Sequence, residues 1–165
     1  MEAVTPAKQP NAAVLTVSDG VAAGSRDDRS GAALVDLLTE RGWEVAETRV
    51  VPDDRHAIVD ALRSLAENAR LVVSTGGTGF GPRDVTPEAT LDVIERRASG
   101  LEHLMIGRGI ESTPMAALSR GVIGDVGTSL VVNLPGSPRG ATENLESILD
   151  LVPHVLDLLV GDTEH

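Results

Sequence analysis

An α/β fold with a parallel or mostly parallel sheet, covered on both faces by helices, is what this sequence predicts. Three observations lead there. Short apolar runs suited to strands alternate along the chain with stretches of helical periodicity. One such run, residues 71–73, passes straight into a glycine-rich turn and then a helix start. The 165 residues, 41% of them hydrophobic, suffice for one substantial core and give no sign of a second domain.

The elements follow in order. Residues 1–11 are polar and proline-bearing and read as a flexible amino-terminal tail, with a single domain expected over 12–160 and a short tail over 161–165. Residues 12–17 form the first strand. It ends in Ser18, Asp19 and Gly20, and the loop passes Gly24, Asp27 and Asp28 to Ser30, whose side chain can cap a helix carrying Leu34, Leu37 and Leu38 and closing at Gly42. Residues 44–51 alternate enough for a second strand. Pro52, Asp53 and Asp54 start a helix with Ile58, Ala61, Leu62 and Leu65 on one apolar face. Leu71, Val72 and Val73 are the third strand, and Thr86, Pro87 and Glu88 read as N-cap, first helical residue and first-turn carboxylate of the next helix. Gly100 breaks the chain, residues 101–109 form another helical piece, and 114–119 a further turn of helix. Residues 122–123 and 129–134 read as strands. LPGSPRG makes a second glycine–proline turn before a helix from about Ala141, and Pro153 either kinks or starts the last helical piece.

Composition removes several classes of function. A net charge of −11 argues against a nucleic-acid surface, which needs clustered Lys and Arg. The only lysine, Lys8, lies in the tail, so neutralising charge falls to arginines, helix N-termini or a metal ion. Trp43 and Phe80 are the only aromatics, too few for base stacking. Without cysteine there are no disulfides, thiolate nucleophiles or cysteine-ligated metals. His56, His103, His154 and His165 are dispersed without ligand spacing. No signal-like amino terminus or membrane-length apolar run is present, and the expectation is a soluble, cytoplasmic protein without a membrane partner.

The chemistry concentrates in LVVSTGGTGFGPRDVTPEAT, residues 71–90. Gly76, Gly77, Gly79 and Gly81 allow positive φ and close backbone approach, and free N–H groups before a helix would face whatever fills the loop. Arg83 adds a cation able to hold phosphate, and Asp84 a carboxylate able to hold a metal. Neither GxxxxGKS, GxxxxGKT nor GxGxxG fits, so this is a phosphate loop of another kind. Ligands of such sheets bind beyond the carboxyl ends of the strands. Ser18–Asp19, Pro52–Asp53, residues 76–84 and Pro135–Gly136–Ser137 are therefore expected along one edge, where Asp19, Asp53 and Asp84 would approach each other. Grouped carboxylates beside a phosphate loop call for a cation, usually magnesium shared with nucleotide phosphates.

Several strings together resemble a known family. GGTGFGPRDVTPEAT, TPMAALSRGV, VVNLPGSP and TVSDG with AG and DDRSG behind it closely resemble the molybdenum-cofactor biosynthesis family, which includes bacterial molybdopterin adenylyltransferase and the amino-terminal domain of gephyrin. The resemblance covers residues 12–160. It implies a three-layer α/β/α sandwich with a mostly parallel central sheet, assembled as homotrimers or hexamers. It also implies transfer of AMP from ATP to the terminal phosphate of molybdopterin, with Mg2+ as cofactor and pyrophosphate as product. Asp53 and Asp84 match the family's catalytic and magnesium-binding aspartates. Ser18, Asp19, Gly76, Gly77, Thr78, Gly79, Pro135 and Gly136 match its molybdopterin pocket. Other enzymes of that pathway become candidate partners. Gly20 stands where many relatives carry a larger or charged residue.

Other readings stand beside these. A homologue could hold molybdopterin without transferring AMP, and a hydrolase of another pyrophosphate-containing nucleotide would use the same electrostatics. Arg83 reads equally as a phosphate contact, a solvated arginine or a partner for Asp84. Trp43 reads as packing, Phe80 as an apolar loop anchor, and Asp27 and Asp28 as a solvated helix entry. Ser119 and Arg120 receive no contact.

Overall fold

The computed structural model describes residues 10–163, and the sheet is its organising element. Strands β1 (Asn11–Val17), β2 (Glu44–Val51), β3 (Leu71–Thr75), β4 (Arg96–Arg97), β5 (Ile123–Val126) and β6 (Ser129–Leu134) lie in the order β2-β1-β3-β6-β5-β4. The β2, β1, β3 and β6 pairings are parallel, while β4 and β5 add an antiparallel edge. That edge is antiparallel because only Gly127, at φ 59°, and Thr128 separate β5 from β6, too short a link for a crossover.

Side-chain alternation along the strands divides the core in two. Ala12, Val14, Leu71, Val73, Leu130 and Val132 face helices α2 (Arg29–Glu40), α5 (Ser99–Ser112), α6 (Pro138–Leu149) and α7 (Val152–Leu159). Ala13, Leu15, Val17, Val72 and Val131 face α3 (Arg55–Asn68) and α4 (Thr86–Leu91). Both faces are thus covered, which makes the expected three layers. Each fully buried Leu or Ile in these layers stabilises by about 1.5–3 kcal/mol. Trp43 packs into the first cluster at 4% exposure, as its place after Gly42 predicts.

Several boundaries differ from the sequence expectation. Asn11 already belongs to β1, while residues 1–9 of the anticipated tail, Lys8 included, lie outside the described residues, as does His165. The cap of α2 is Asp28 and not Ser30: its carboxylate accepts from the Gly31 N–H at 2.9 Å and from the Thr16 hydroxyl at 2.8 Å, so it is no merely solvated entry. Thr86 is not an N-cap either, because its hydroxyl donates to the Gly76 carbonyl and the α4 cap position falls to Val85. Gly100 does not break the chain. Helix α5 runs through it, and the interruption falls before it, where β4 pairs with β5. Helix α6 begins at Pro138 with Ser137 as cap, before the expected Ala141, and Pro153 starts α7 without kinking it. A four-residue helix, α1 (Asp19–Ala22), was not foreseen.

Parallel register aligns the strand ends. Thr16 pairs with Thr75 and Thr75 with Leu134, while Val17 pairs with Val51. The loops after β1, β2, β3 and β6 therefore leave the sheet side by side.

Candidate functional site

The glycine loop after β3 is stitched down by its carbonyls. Gly76 C=O accepts from the Thr86 hydroxyl at 3.0 Å, and Gly77 C=O from the Thr86 N–H at 3.1 Å. Thr78 C=O accepts from the Arg120 N–H at 2.8 Å, and Gly79 C=O from Arg120 Nε at 2.8 Å. The N–H groups of Gly77, Thr78 and Gly79 donate to no group among the described residues. A backbone whose acceptors are used and whose donors are spare is an anion cradle. Two glycines are required on conformational grounds, Gly76 at φ 100° and Gly77 at φ 68°; Gly79 and Gly81 do not take the positive φ their sequence allows.

Arg120 is the hub of this stitching. Besides Gly79 it donates to the Asp84 carbonyl at 3.0 Å and pairs with Glu88, and its guanidinium lies 5.4 Å from the Phe80 ring centroid. Hydrogen bonding to Arg120 holds the Glu88 carboxyl below its ordinary value. Phe80 is 75% exposed, so it is not the apolar anchor its composition suggested; the arginine above it has that role.

Two clefts meet at the loop. One, of about 890 Å³, takes in Ser18, Arg26, Asp53, Gly76 and the start of α6. The other, about 420 Å³, is walled by Thr78, Gly79, Met115, Leu118 and Pro135. Gly77, Asp84, Gly136 and Ser137 border both. Ser137 caps α6, a helix of 12 residues, through the Gly140 N–H, so the positive end of that helix lies at the shared border.

The carboxylates are arranged less symmetrically than expected. The Asp53 carboxylate accepts the Asp19 N–H at 2.9 Å, and that of Asp19 accepts the Asp53 N–H at 3.0 Å. Arg83 then clamps Asp19 through both carboxylate oxygens, at 2.7 and 3.1 Å, and does not pair with Asp84. Asp84 instead accepts the Gly81 N–H at 2.9 Å. The Arg83 bond and the Asp53 N–H hold the Asp19 carboxyl below its ordinary value of 3.8. Burial, with the charges of Asp19 and Asp84 nearby, pushes Asp53 above 3.8 against the pull of the Asp19 N–H. Among the described residues no three acidic or histidine side chains group to hold a metal ion. Asp53 and Asp84 still border one cleft, and Asp19 faces Arg83 outside both.

The other residues expected at the site fall around these clefts. Ser18 caps α1 through the Val21 N–H and borders the larger one. Pro135 and Gly136 follow β6 directly, and Gly136 approaches the Gly76 Cα within reach of a methyl group. Sequence reasoning placed Ser137 on this edge without its role as a helix cap, and it missed Arg26 and Arg29 in the larger cleft. A Ser-Pro pair ahead of a helical pattern was a legible cap signal for Ser137. No local signal marks the arginines.

An amide-lined loop at the carboxyl edge of a covered parallel sheet makes this an α/β protein equipped for anionic small molecules. Comparison with known proteins gives the family. The chain belongs to the molybdenum cofactor biosynthesis family: the family described as a probable molybdopterin binding domain matches residues 13–154. A molybdopterin adenylyltransferase of Helicobacter pylori is 37% identical over 153 residues, 90% of this chain and 87% of that one. The molybdenum cofactor synthesis protein cinnamon of Drosophila melanogaster is 40% identical over 155 residues, 90% of this chain. The chain spans only 25% of that longer protein. A crystal structure of the molybdopterin biosynthesis enzyme MoaB from Thermus thermophilus superposes with a TM-score of 0.87 at 45% identity, covering 93% of this chain and 98% of that one.

Proposed function

We propose that residues 12–160 act as one molybdopterin-binding domain that transfers AMP from ATP to the terminal phosphate of molybdopterin. The observation that carries this reading is the junction of two clefts at a loop whose amides are spare. Two phosphorylated substrates need adjoining pockets that meet where phosphorus changes partners, and Gly77, Asp84, Gly136 and Ser137 form such a border.

The chemistry needs no covalent residue. A molybdopterin phosphate oxygen attacks the α-phosphorus of ATP, the bond from that phosphorus to the bridging oxygen breaks, and the electron pair leaves with pyrophosphate. The amides of Gly77, Thr78 and Gly79 and the α6 N-terminus donate to phosphate oxygens, and Ser18 adds a hydroxyl at the cleft wall. Asp53 and Asp84 would hold Mg2+, which supplies positive charge against the phosphates when bound. The residues fit that ion: magnesium commonly takes one or two protein carboxylates and fills its shell with water and phosphate. Burial first, and then the charges of Asp19 and Asp84, raise Asp53, so a bound cation would favour its ionised form.

The second reading is a paralogue that holds molybdopterin without transfer. The presence of Asp53 and Asp84 on the same cleft favours the enzyme, since binding alone has no use for under-neutralised carboxylates beside an anion cradle. Pyrophosphate assayed from ATP, Mg2+ and molybdopterin separates the two: the enzyme releases it, and a binding paralogue shows molybdopterin affinity with none released. For assembly we propose a homotrimer, supported by exposed Ile110 on α5, Leu158 on α7, and Leu151 and Val160 at the two ends of α7.

A further inference from the structure

In a protein of net charge −11, the arginines are mostly committed to other groups: Arg83 to Asp19, Arg120 to Glu88, Arg55 to Asp92. Arg26 is not. It borders the larger cleft, and its guanidinium forms no ion pair or hydrogen bond with any described residue. The main chain that carries it is nonetheless fixed. Gly20 C=O accepts from the Ser25 N–H at 2.9 Å, the Arg26 N–H at 3.2 Å and the Ser25 hydroxyl at 3.1 Å, and Gly24, at φ 76°, closes the turn. The aliphatic stem lies flat on Gly20, so that a Cβ built there would stand 2.6 Å from Arg26 Cδ and 3.0 Å from Cγ. A long cation seated on a glycine loses little further entropy when it meets a ligand.

The same cleft carries Asp27, Asp28, Asp53 and Asp84, and the Asp28 carboxylate is already occupied by Thr16 and Gly31. A cationic side chain would offset this charge for an entering anion, and Arg26 lines the cleft with no partner among the described residues. We propose that Arg26 is a phosphate anchor of the larger cleft and that Gly20, by lacking a side chain, is what seats it. The ligand class is a phosphate ester or polyphosphate, from either the nucleotide or the pterin. The inference rests on the reading of this cleft as a phosphate site and not on AMP transfer.

The test uses Arg26→Ala, Gly20→Ala and the double variant. The atom a new Cβ meets at Gly20 belongs to a flexible side chain, so the fold persists while the arginine is displaced; melting temperatures check this. Calorimetry with pyrophosphate in the presence of Mg2+ should show each single variant weakened about tenfold, and the double variant no weaker than Arg26→Ala alone. Arg108→Ala, which removes the same charge outside both clefts, should bind as wild type. Parallel titrations with ATP and with molybdopterin assign the source, since weakening of either supports the anchor and shows whose phosphate it holds. Unchanged pyrophosphate, ATP and molybdopterin affinities in Arg26→Ala overturn the proposal, as does Gly20→Ala binding like wild type. Should the wild type bind pyrophosphate through Arg26 yet make no adenylyl product, the proposed reaction fails and the anchor stands. Should AMP transfer proceed with unaltered KM values and affinities in Arg26→Ala, the anchor alone fails.

Discussion

Asp19 and Asp53 cap each other's main chain, each carboxylate accepting the other's backbone N–H, at 2.9 and 3.0 Å. The ends of β1 and β2 are thereby clasped with two like charges side by side. Arg83 pairs with Asp19, and its charge only partly offsets what raises Asp53. Asp53 is left partly buried with its charged form disfavoured, and that asymmetry sets the first two expectations.

Asp53→Asn keeps an acceptor for the Asp19 N–H and removes the repulsion. Because the folded protein raises the Asp53 pKa, the favourable protonated form is fully present below 3.8 and is lost as pH rises through the raised value, so at neutral pH the charge opposes folding. The neutral amide should leave the melting temperature unchanged or raise it by about 1–2 °C, a small gain because the group is only partly buried. AMP transfer should fall by about 10²-fold or more. A melting temperature lowered by several degrees would show that the charge stabilises the clasp.

Acidification should separate the two aspartates. Asp53 takes up its proton above 3.8, whereas Asp19, held by Arg83, does so below it. Stability from the Arg83–Asp19 pair is present above 3.8 and lost as pH falls through the lower folded value. Calorimetry from about pH 7 to about pH 4 should therefore show Mg2+-dependent nucleotide binding fading while the melting curve still reports an intact clasp. Binding retained to a midpoint below 3.8 contradicts this order.

Arg120 links the back of the glycine loop to α4, and among the described residues no other side chain supplies those donors. Arg120→Ala should cost about 2–3 kcal/mol of stability, leaving Glu88 without its partner, and should raise the KM for both substrates as the loop loosens. Lysine cannot reproduce the fork, so Arg120→Lys should recover only part of either loss. Urea unfolding with parallel kinetics reads both.

Glycines at two positions should respond in opposite directions. A Cβ on Gly76 would stand 2.2 Å from the Val17 carbonyl oxygen at φ 100°, so Gly76→Ala should cost about 3 kcal/mol or more. Gly107, inside α5 with nothing within 4 Å, should gain about 0.5–1 kcal/mol as Ala. Denaturant midpoints of the two variants check the pair.

The sequence showed what repeats or sits next to its partner. Apolar runs marked β1, β3 and β6, alternation marked β2, and strand-end placement brought Asp53, Asp84, Gly77 and Gly136 to one cleft. Distance along the chain hid the rest. Arg83 meets Asp19 across 64 positions, and Arg120 meets Gly79 across 41, so neither contact has a local signature. The β4 strand is two exposed arginines held by pairing with β5 and by the Arg97 fork to Glu102 on α5. Asp28 and Ser30 are both good caps, and only the Thr16 hydroxyl, reached through the fold, decides between them. Gly100 misled because a glycine with open space around it is tolerated in a helix.

Asp84→Asn probes the border between the clefts. It keeps the acceptor for the Gly81 N–H but removes a charge, so turnover should fall by about 10²-fold or more while molybdopterin affinity, held by the loop amides and the Pro135–Gly136 turn, changes little. Near-normal turnover with a melting temperature lowered by a few degrees would reduce Asp84 to a loop clasp.

The most direct measurement supplies ATP labelled at the α-phosphate, with Mg2+ and molybdopterin, and follows the label. The account predicts that it moves to molybdopterin as an adenylyl group, one pyrophosphate appearing for each transfer. Label released as free AMP would indicate a hydrolase, and label remaining in ATP while molybdopterin binds would indicate a carrier; either result contradicts AMP transfer.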